Sequence, residues 1–120
     1  MKTKSFILMA LAAIFFFMSC KKESATPQLT FTNNAAEGTA NSAGEFTITG
    51  NISSSVSLEK VVITKEGQTT PFLIDASTAK NKNEYAFSYL ITGITANTYI
   101  TLDIYDQSNG KITRRFLVLK

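Results

Sequence analysis

Residues 98–119 have the sequence TYITLDIYD-QSNG-KITRRFLVL, and this stretch decides the fold. Ile100, Leu102 and Ile104 alternate with polar or aromatic neighbours, which is the period of two of a half-buried strand. The Asn109-Gly110 pair in the linker tolerates the positive φ that a tight hairpin demands. The stretch therefore predicts two neighbouring antiparallel strands joined by a hairpin.

The preceding residues continue the same pattern in shorter segments. Runs rich in Thr, Ile, Val, Phe and Tyr recur between clusters of Gly, Asn, Ser and Asp, and none shows a sustained helical period. About seven strands within residues 29–120 fit a single all-β domain, an antiparallel β-sandwich. The predicted strands are Leu29–Thr32, Glu45–Ser53, Leu58–Lys65, Pro71–Asp75, Glu84–Thr92, Thr98–Asp106 and Lys111–Leu119.

Alternation also predicts which side chains face the core of the sandwich. In the fifth segment the core side carries Tyr85 and Tyr89, whose hydroxyls would need hydrogen-bond partners near the sheet ends. The residues predicted to point inward are Phe46, Ile48, Ile52, Leu58, Val61, Ile63, Tyr85, Phe87, Tyr89, Ile91, Ile100, Leu102 and Ile104.

The beginning of the chain has the features of a secretory signal peptide. Lys2 and Lys4 form a positive n-region, and residues 6–18 contain no charge or strongly polar side chain. This run is shorter than the roughly 20 apolar residues of a membrane-spanning helix. Residues 21–28 contain no large apolar side chain and are typical of a tether. We therefore expect a signal peptide at 1–19, a lipidated cysteine and tether at 20–28, and the domain at 29–120.

Cys20, the single cysteine of the chain, follows the signal peptide directly. The box Phe17-Met18-Ser19-Cys20 resembles the recognition site of the lipoprotein signal peptidase. Phe and Met stand where the commonest box has Leu and a small residue, a looser form that occurs in Bacteroidetes. The junction Cys20-Lys-Lys-Glu23 is similar to those of Bacteroidetes outer-membrane lipoproteins. The resemblance implies a lipid on Cys20 that attaches the protein to a membrane of the cell envelope. The junction favours the outer membrane, with the domain facing either the periplasm or the cell surface.

The strand pattern resembles the Ig-like domains of bacterial surface lipoproteins. The chain lacks the disulfide and the core tryptophan of antibody-type domains. Bacterial domains of this kind serve as spacers, adhesive modules or accessory binding units, so the resemblance implies a role without catalysis. The residues that carry it are FTITG at 46–50, Leu58-x-x-Val61-x-Ile63, Tyr85-x-Phe87 and the hairpin from Ile100 to Gly110.

Composition restricts the chemistry that the chain can perform. It contains no histidine, and its cysteine is at the lipid site, which excludes His-dependent triads, thiolate nucleophiles and His or Cys metal sites. The carboxylates are scattered, and Asp103 and Asp106 cannot face the same side of a regular strand. We therefore expect no enzymatic activity and no cofactor.

The acidic loop Asp106–Gly110 is the one candidate for calcium. It lacks the further carboxylates and the terminal Glu of a calcium loop. A hairpin turn in which Asp106 caps its own backbone explains the same residues. We therefore expect no metal here.

Charge argues against a nucleic-acid partner. After removal of the signal peptide, ten basic and nine acidic residues leave a net charge of +1. Apart from Lys21-Lys22 beside the lipid, Arg114-Arg115 is the only local basic cluster, which is too little to bind a phosphate backbone.

The candidate ligand-binding residues are Tyr99, Thr101, Asp103 and Tyr105, which would point outward from the sixth predicted strand. Two tyrosines flanking an acid can stack on a sugar ring while Asp103 accepts its hydroxyls. Tyrosine is also a good strand former on a solvated face, so the stripe has a purely structural explanation as well.

Two functions fit these observations. The first is a binding or adhesion module of the cell envelope that contacts a glycan, a peptide or an envelope protein through a sheet face or the end loops. The second is a spacer, or a passive subunit of a surface assembly that is bound by strand addition along an exposed edge.

Overall fold

The computed structural model describes residues 26–120, which form eight strands and one short 3-10 helix. The predicted signal peptide, Cys20 and the tether as far as residue 25 lie outside the described residues. The elements are β1 (Gln28–Phe31), the 3-10 helix (Thr32–Asn34), β2 (Glu37–Thr39), β3 (Phe46–Ser53), β4 (Leu58–Lys65), β5 (Leu73–Asp75), β6 (Glu84–Ile91), β7 (Thr98–Asp106) and β8 (Lys111–Leu119).

The strands form two sheets that enclose one core. The first sheet has three strands in the order β1-β3-β6, and the second has five in the order β2-β8-β7-β4-β5. Five of the six strand pairs are antiparallel. The predicted β-sandwich is confirmed, and β7 and β8 form the predicted hairpin.

The inward assignment from alternation is also confirmed. All thirteen residues predicted to face the core are buried except Phe46 and Tyr85, which are half-buried and pack against it. Leu58 and Val61 both point inward although they are three positions apart, because the register between β4 and β7 shifts between Leu58 and Lys60. Such a bulge adds a residue to one strand and so reverses the alternation once.

Strand β1 begins at Gln28, one residue before the predicted strand. Gln28 already pairs with Ser53 of β3. Pro27 is fully buried. The last residues of the predicted tether therefore pack on the sandwich.

Strand β2 was not predicted. With it the sandwich has eight strands, where the sequence indicated about seven, and one strand pair is parallel instead of antiparallel. β2 pairs in parallel with the end of β8. Asn33 and Asn34, at φ 59° and 54°, turn the chain from the three-stranded sheet to the five-stranded one. Asn adopts this left-handed conformation more easily than most residues. The turn therefore closes one side of the sandwich with the chain itself.

Aromatic rings fill the core between the sheets. Phe116 stacks on Phe46 with ring centroids 5.4 Å apart and meets the ring of Phe31 edge-on at 5.0 Å. Phe87 lies over Gly50, where a Cβ would come within 2.6 Å of its ring and 2.5 Å of a backbone oxygen. A glycine at this position thus makes room for the ring of the neighbouring strand.

Candidate functional site

The four predicted ligand-binding residues lie on β7, which is flanked by β4 and β8 in the five-stranded sheet. The side chains of Ile100, Leu102 and Ile104 are fully buried, so the intervening residues point outward as predicted. Tyr99 is 37% exposed, whereas Thr101, Asp103 and Tyr105 are half-buried by their neighbours on the outer surface. The two tyrosines are six positions apart, so the stripe is about 20 Å long at the rise of a β-strand.

Tyr105 lies between two lysines. Lys60 of β4 and Lys111 of β8 are its direct partners in the two strand pairs. Their Nζ atoms are 4.9 Å and 5.4 Å from the centroid of its ring. Both distances are within the range of a cation–π interaction. Because the lysines belong to strands on opposite sides of β7, they flank the tyrosine from both sides.

A third cation covers Tyr99. The guanidinium carbon of Arg115 is 4.0 Å from the centroid of its ring. Arg115 is the cross-strand partner of Thr101, so it reaches Tyr99 along the diagonal. The backbone of Tyr99 is also held, since its N–H donates to Oε1 of Glu66 at 3.2 Å.

Asp103 lies between the two tyrosines and already has partners. The hydroxyl of Thr113, across the hairpin, donates to its Oδ1 at 2.6 Å, and Nζ of Lys111 is 3.8 Å from the same oxygen. On its other side it faces Val62 of β4. The carboxylate is therefore partly engaged within the sheet instead of being free for a sugar hydroxyl.

These residues form one surface, which we call the β7 face: Lys60, Tyr99, Thr101, Asp103, Tyr105, Lys111 and Arg115. It carries three cations and one carboxylate, and Glu66 beside Tyr99 adds a second carboxylate at its margin, so the surface keeps an excess of one positive charge. The three cations were not predicted as part of the site. The register of the hairpin, which places Lys111 opposite Tyr105, is the signal that could have identified one of them.

A second polar cluster lies inside the sandwich, around Asp75 of β5. The hydroxyl of Tyr89 donates to its Oδ2 at 2.7 Å, that of Tyr85 donates at 3.2 Å, and that of Thr78 donates as well. The backbone N–H groups of Ser77 and Thr78 donate to its Oδ1 at 3.1 Å and 2.9 Å. Asp75, on the opposite sheet, is thus the hydrogen-bond partner that the inward Tyr85 and Tyr89 require.

The electrostatics of this cluster favour an ionised acid and neutral phenols. Burial raises the pKa of Asp75, but the hydrogen bonds from Thr78, Tyr89 and the backbone outweigh it and hold the pKa well below its usual range. Burial, together with the hydrogen bond to Asp75, raises the pKa of Tyr89. Tyr89 therefore remains a donor, and the cluster links β5 of one sheet to β6 of the other.

The loop at Asp106 is the predicted hairpin turn. Oδ1 of Asp106 accepts the N–H groups of Ser108 at 2.8 Å and Gly110 at 2.7 Å. Asn109 takes the positive φ of the turn, 66°. Within residues 26–120 there is no group of three or more His, Cys, Asp and Glu side chains that could hold a metal ion.

An uncharged cleft of about 470 Å³ opens on the outer surface of the three-stranded sheet. Six of its eight lining residues carry an amide or a hydroxyl group, and no sequence pattern pointed to the cleft. The lining residues are Gln28, Thr30, Phe31, Thr32, Asn33, Gly50, Asn51 and Ser53.

The described part of the chain includes no helix long and apolar enough to cross a membrane. Comparison with protein-family models and with curated proteins gives no match.

Among solved structures, the chain is similar to the fibronectin(III)-like modules of CbhA from Clostridium thermocellum. The TM-score is 0.54 at 16% sequence identity, over 79% of this chain and 46% of that one. The chain thus spans less than half the length of the structure that it matches. At this identity the likeness shows the fold, and it confirms the predicted Ig-like β-sandwich.

Proposed function

We propose that this chain is a cell-envelope lipoprotein, attached through a lipid on Cys20 to the outer membrane. In this proposal its sandwich is a binding module without catalytic activity, and the β7 face is its contact surface. The support for attachment is the resemblance of residues 1–23 to a Bacteroidetes lipoprotein signal peptide.

The observation that carries the binding role is the arrangement of cations against tyrosines. Tyr and Arg are enriched where protein interfaces draw most of their binding energy. Here Arg115 packs on Tyr99, and Lys60 and Lys111 flank Tyr105. Each cation already packs on a tyrosine ring in the free domain, and this reduces the side-chain entropy that is lost when a partner docks. The β7 face therefore suits a partner that presents carboxylates, and we propose an envelope protein.

A neutral glycan fits this surface less well than the sequence pattern indicated. Stacking of a sugar requires an open ring face, whereas Tyr105 has a lysine on each side. Asp103, the proposed acceptor for sugar hydroxyls, already accepts from Thr113. An acidic glycan would still satisfy the three cations and is the second candidate ligand.

The carboxylates support a role without catalysis. Asp75 accepts hydrogen bonds from side chains and backbone within the sandwich, and Asp106 caps the hairpin turn. Asp103 is hydrogen-bonded across the hairpin. Each of these carboxylates thus has a structural role, and no pair of them faces a common cleft.

The alternative is a spacer. β1 begins beside the end of β3 at Ser53, whereas Lys120, after β8, donates to Asn97 at the other end of the sandwich. The two ends of the described chain are therefore about one strand length apart, which is the geometry that a spacer needs.

Affinity capture from the envelope fraction of the native cell, with an acidic and neutral glycan array in parallel, tests the proposal. The baits are the wild-type chain, a Tyr99→Ala/Tyr105→Ala variant and a Lys60→Glu/Lys111→Glu variant. Thr47→Ala, on the outer surface of the other sheet, is the matched control. We expect one envelope protein to be retained by the wild type and the control and lost by both variants. Added salt should weaken this retention, because salt screens attraction between the exposed cations of the β7 face and the carboxylates of the partner. Equal capture by all four baits would contradict a binding role for the β7 face and favour the spacer.

A further inference from the structure

The two sheets have four edge strands, and three of them are short. β1 has four residues, and β2 and β5 have three each. The fourth, β6, has eight residues, without proline or glycine, and it pairs with β3 in an unbroken register along its whole length. Its one charged residue, Glu84, is at its start.

Such an edge is unusual because it invites pairing with another strand. Alternate backbone N–H and C=O groups of an edge strand point away from the sheet and offer a row of hydrogen bonds. Natural proteins usually blunt long edges with lysines, prolines, bulges or coverage. The outward side chains of β6 are Glu84, Ala86, Ser88 and Leu90, and Leu90 is 51% exposed.

We propose that the free edge of β6 pairs with β6 of a second copy of this chain, antiparallel about a two-fold axis at Phe87. The paired residues of an antiparallel ladder lie on the same face, so the register must keep inward residues with inward ones. A register centred on Phe87 does this. It sets Ala86 opposite Ser88 of the second copy and Glu84 opposite Leu90 of the second copy.

Charge permits this occupant. The two Glu84 carboxylates lie at opposite ends of the paired strands, so no like charges face each other across the interface. Residues 26–120 contain eight basic and eight acidic side chains, so two copies carry no net charge that would keep them apart.

The length of the chain before β1 also permits it. In the dimer the two β1 strands are five strand spacings apart, about 24 Å, and Gln28 is level with Glu84, so the two N-terminal ends are about 31 Å apart. The two-fold axis is perpendicular to the paired sheet, so both ends lie at the same height above a membrane parallel to that sheet. Residues 20–26, which precede the buried Pro27, can span up to about 25 Å when extended, so both lipid sites can reach one membrane.

Cysteine cross-linking of the full chain tests the pairing. Direct partners in an antiparallel ladder have Cα atoms about 4.5–5.5 Å apart, which is within the reach of a disulfide. An Ala86→Cys/Ser88→Cys variant should form a covalent dimer on mild oxidation. The matched control is Thr47→Cys/Thr49→Cys, with the same spacing and the same outer surface but on the central strand β3. We expect roughly tenfold more dimer than in the control, because the control depends on random collision. Equal amounts in both would overturn the proposal.

The register itself is tested at Leu90, which is exposed and can be substituted without disturbing the core. In the cysteine background, Leu90→Glu faces Glu84 of the second copy with a like charge and should reduce the dimer severalfold. Leu90→Lys faces it with an opposite charge and should keep or increase the dimer. Cooperative unfolding of both variants confirms that they fold. The same yield from both, or a reversed order, would overturn the pairing, as would a partner strand from another protein in place of the dimer.

Discussion

At the scale of the residue, Asp75 joins the two sheets on the side where residues 76–83 cross from β5 to β6. The opposite side of the sandwich is closed by the turn through Asn33 and Asn34, whereas β5 and β6 are edge strands of different sheets. The hydrogen bonds of Tyr85 and Tyr89 to Asp75 connect them. The described domain contains no cysteine, so no disulfide ties the two sheets together, and these hydrogen bonds are a polar link between them at this side.

Substitution of Asp75 should destabilise the domain and change its response to acid. Asp75→Asn removes the charge that the surrounding donors stabilise, and hydrogen bonds to charged groups contribute about 1.5–3 kcal/mol. We expect a loss of about 2 kcal/mol or more in the free energy of unfolding at pH 7. Urea unfolding followed by circular dichroism measures it.

The pH dependence has a defined direction. Because the pKa of Asp75 is lower in the folded protein, its contribution is complete above the ordinary aspartate pKa of about 3.9. The contribution is lost as the pH falls through that value toward the folded pKa. The wild type should therefore lose more stability between pH 5 and pH 2.5 than Asp75→Asn does. The partly exposed Asp103→Asn is the control. If the free energy of unfolding fell equally with pH in the wild type and in Asp75→Asn, the hydrogen bonds to Asp75 would contribute no pH-dependent stability.

Leu102 and Asp103 test the alternation of β7 at adjacent residues. Leu102 is fully buried, and a Leu→Ala change in a core typically costs about 2–5 kcal/mol. Asp103→Ala loses the hydrogen bond from Thr113 on a half-buried surface, so we expect about 0.5–1 kcal/mol. The denaturant midpoint should shift plainly for the first variant and slightly for the second. Equal losses would mean that the outward orientation of the β7 face is wrong.

At this scale the inward residues could be predicted and their polar partners could not. Alternation depends on neighbours within one strand, so Ile100, Leu102 and Ile104 were assigned from the sequence. The partner of Tyr89 lies fourteen residues away on the other sheet, and only the packing of the sheets brings it close. The cations at Tyr99 and Tyr105 likewise depend on the registers of three strands.

At the scale of the element, β2 shows what strand patterns miss. Its three residues, Glu37, Gly38 and Thr39, include a glycine and no apolar alternation, and its partner is near the end of the chain. Parallel pairing between such distant segments leaves no local signal. β4, β7 and β8 are longer, and their inward and outward side chains alternate, with one bulge in β4. The observed bounds of these three strands equal the predicted ones.

The glycine of β2 should be required by the ring that packs on it. A Cβ at Gly38 would overlap the ring of Phe46, which is itself stacked on Phe116. Overpacking of this kind typically costs about 1–3 kcal/mol, so Gly38→Ala should lower the urea midpoint. Glu37→Ala, exposed on the same strand, should change it little. If the two variants unfold alike, β2 is not packed against the core in the way described.

At the scale of the whole molecule, the sandwich presents two unlike outer surfaces and one open edge. The five-stranded sheet carries the electropositive β7 face, and the three-stranded sheet carries an uncharged cleft. The edge of β6 is separate from both. The proposed dimer, held by the proposed lipid anchor, keeps its β7 faces free for a partner, because pairing through β6 uses the other sheet.

Attachment to the envelope is the premise on which this function depends, and metabolic labelling with a fatty-acid analogue tests it most directly. The thioether can form only on the sulfur of Cys20, the single cysteine of the chain. The wild type should incorporate the label and sediment with the outer membrane. Cys20→Ala should incorporate none and accumulate as an unprocessed or soluble form, whereas Ser53→Ala should behave as the wild type. Label in Cys20→Ala, or none in the wild type, would contradict the assignment of this chain as a lipoprotein.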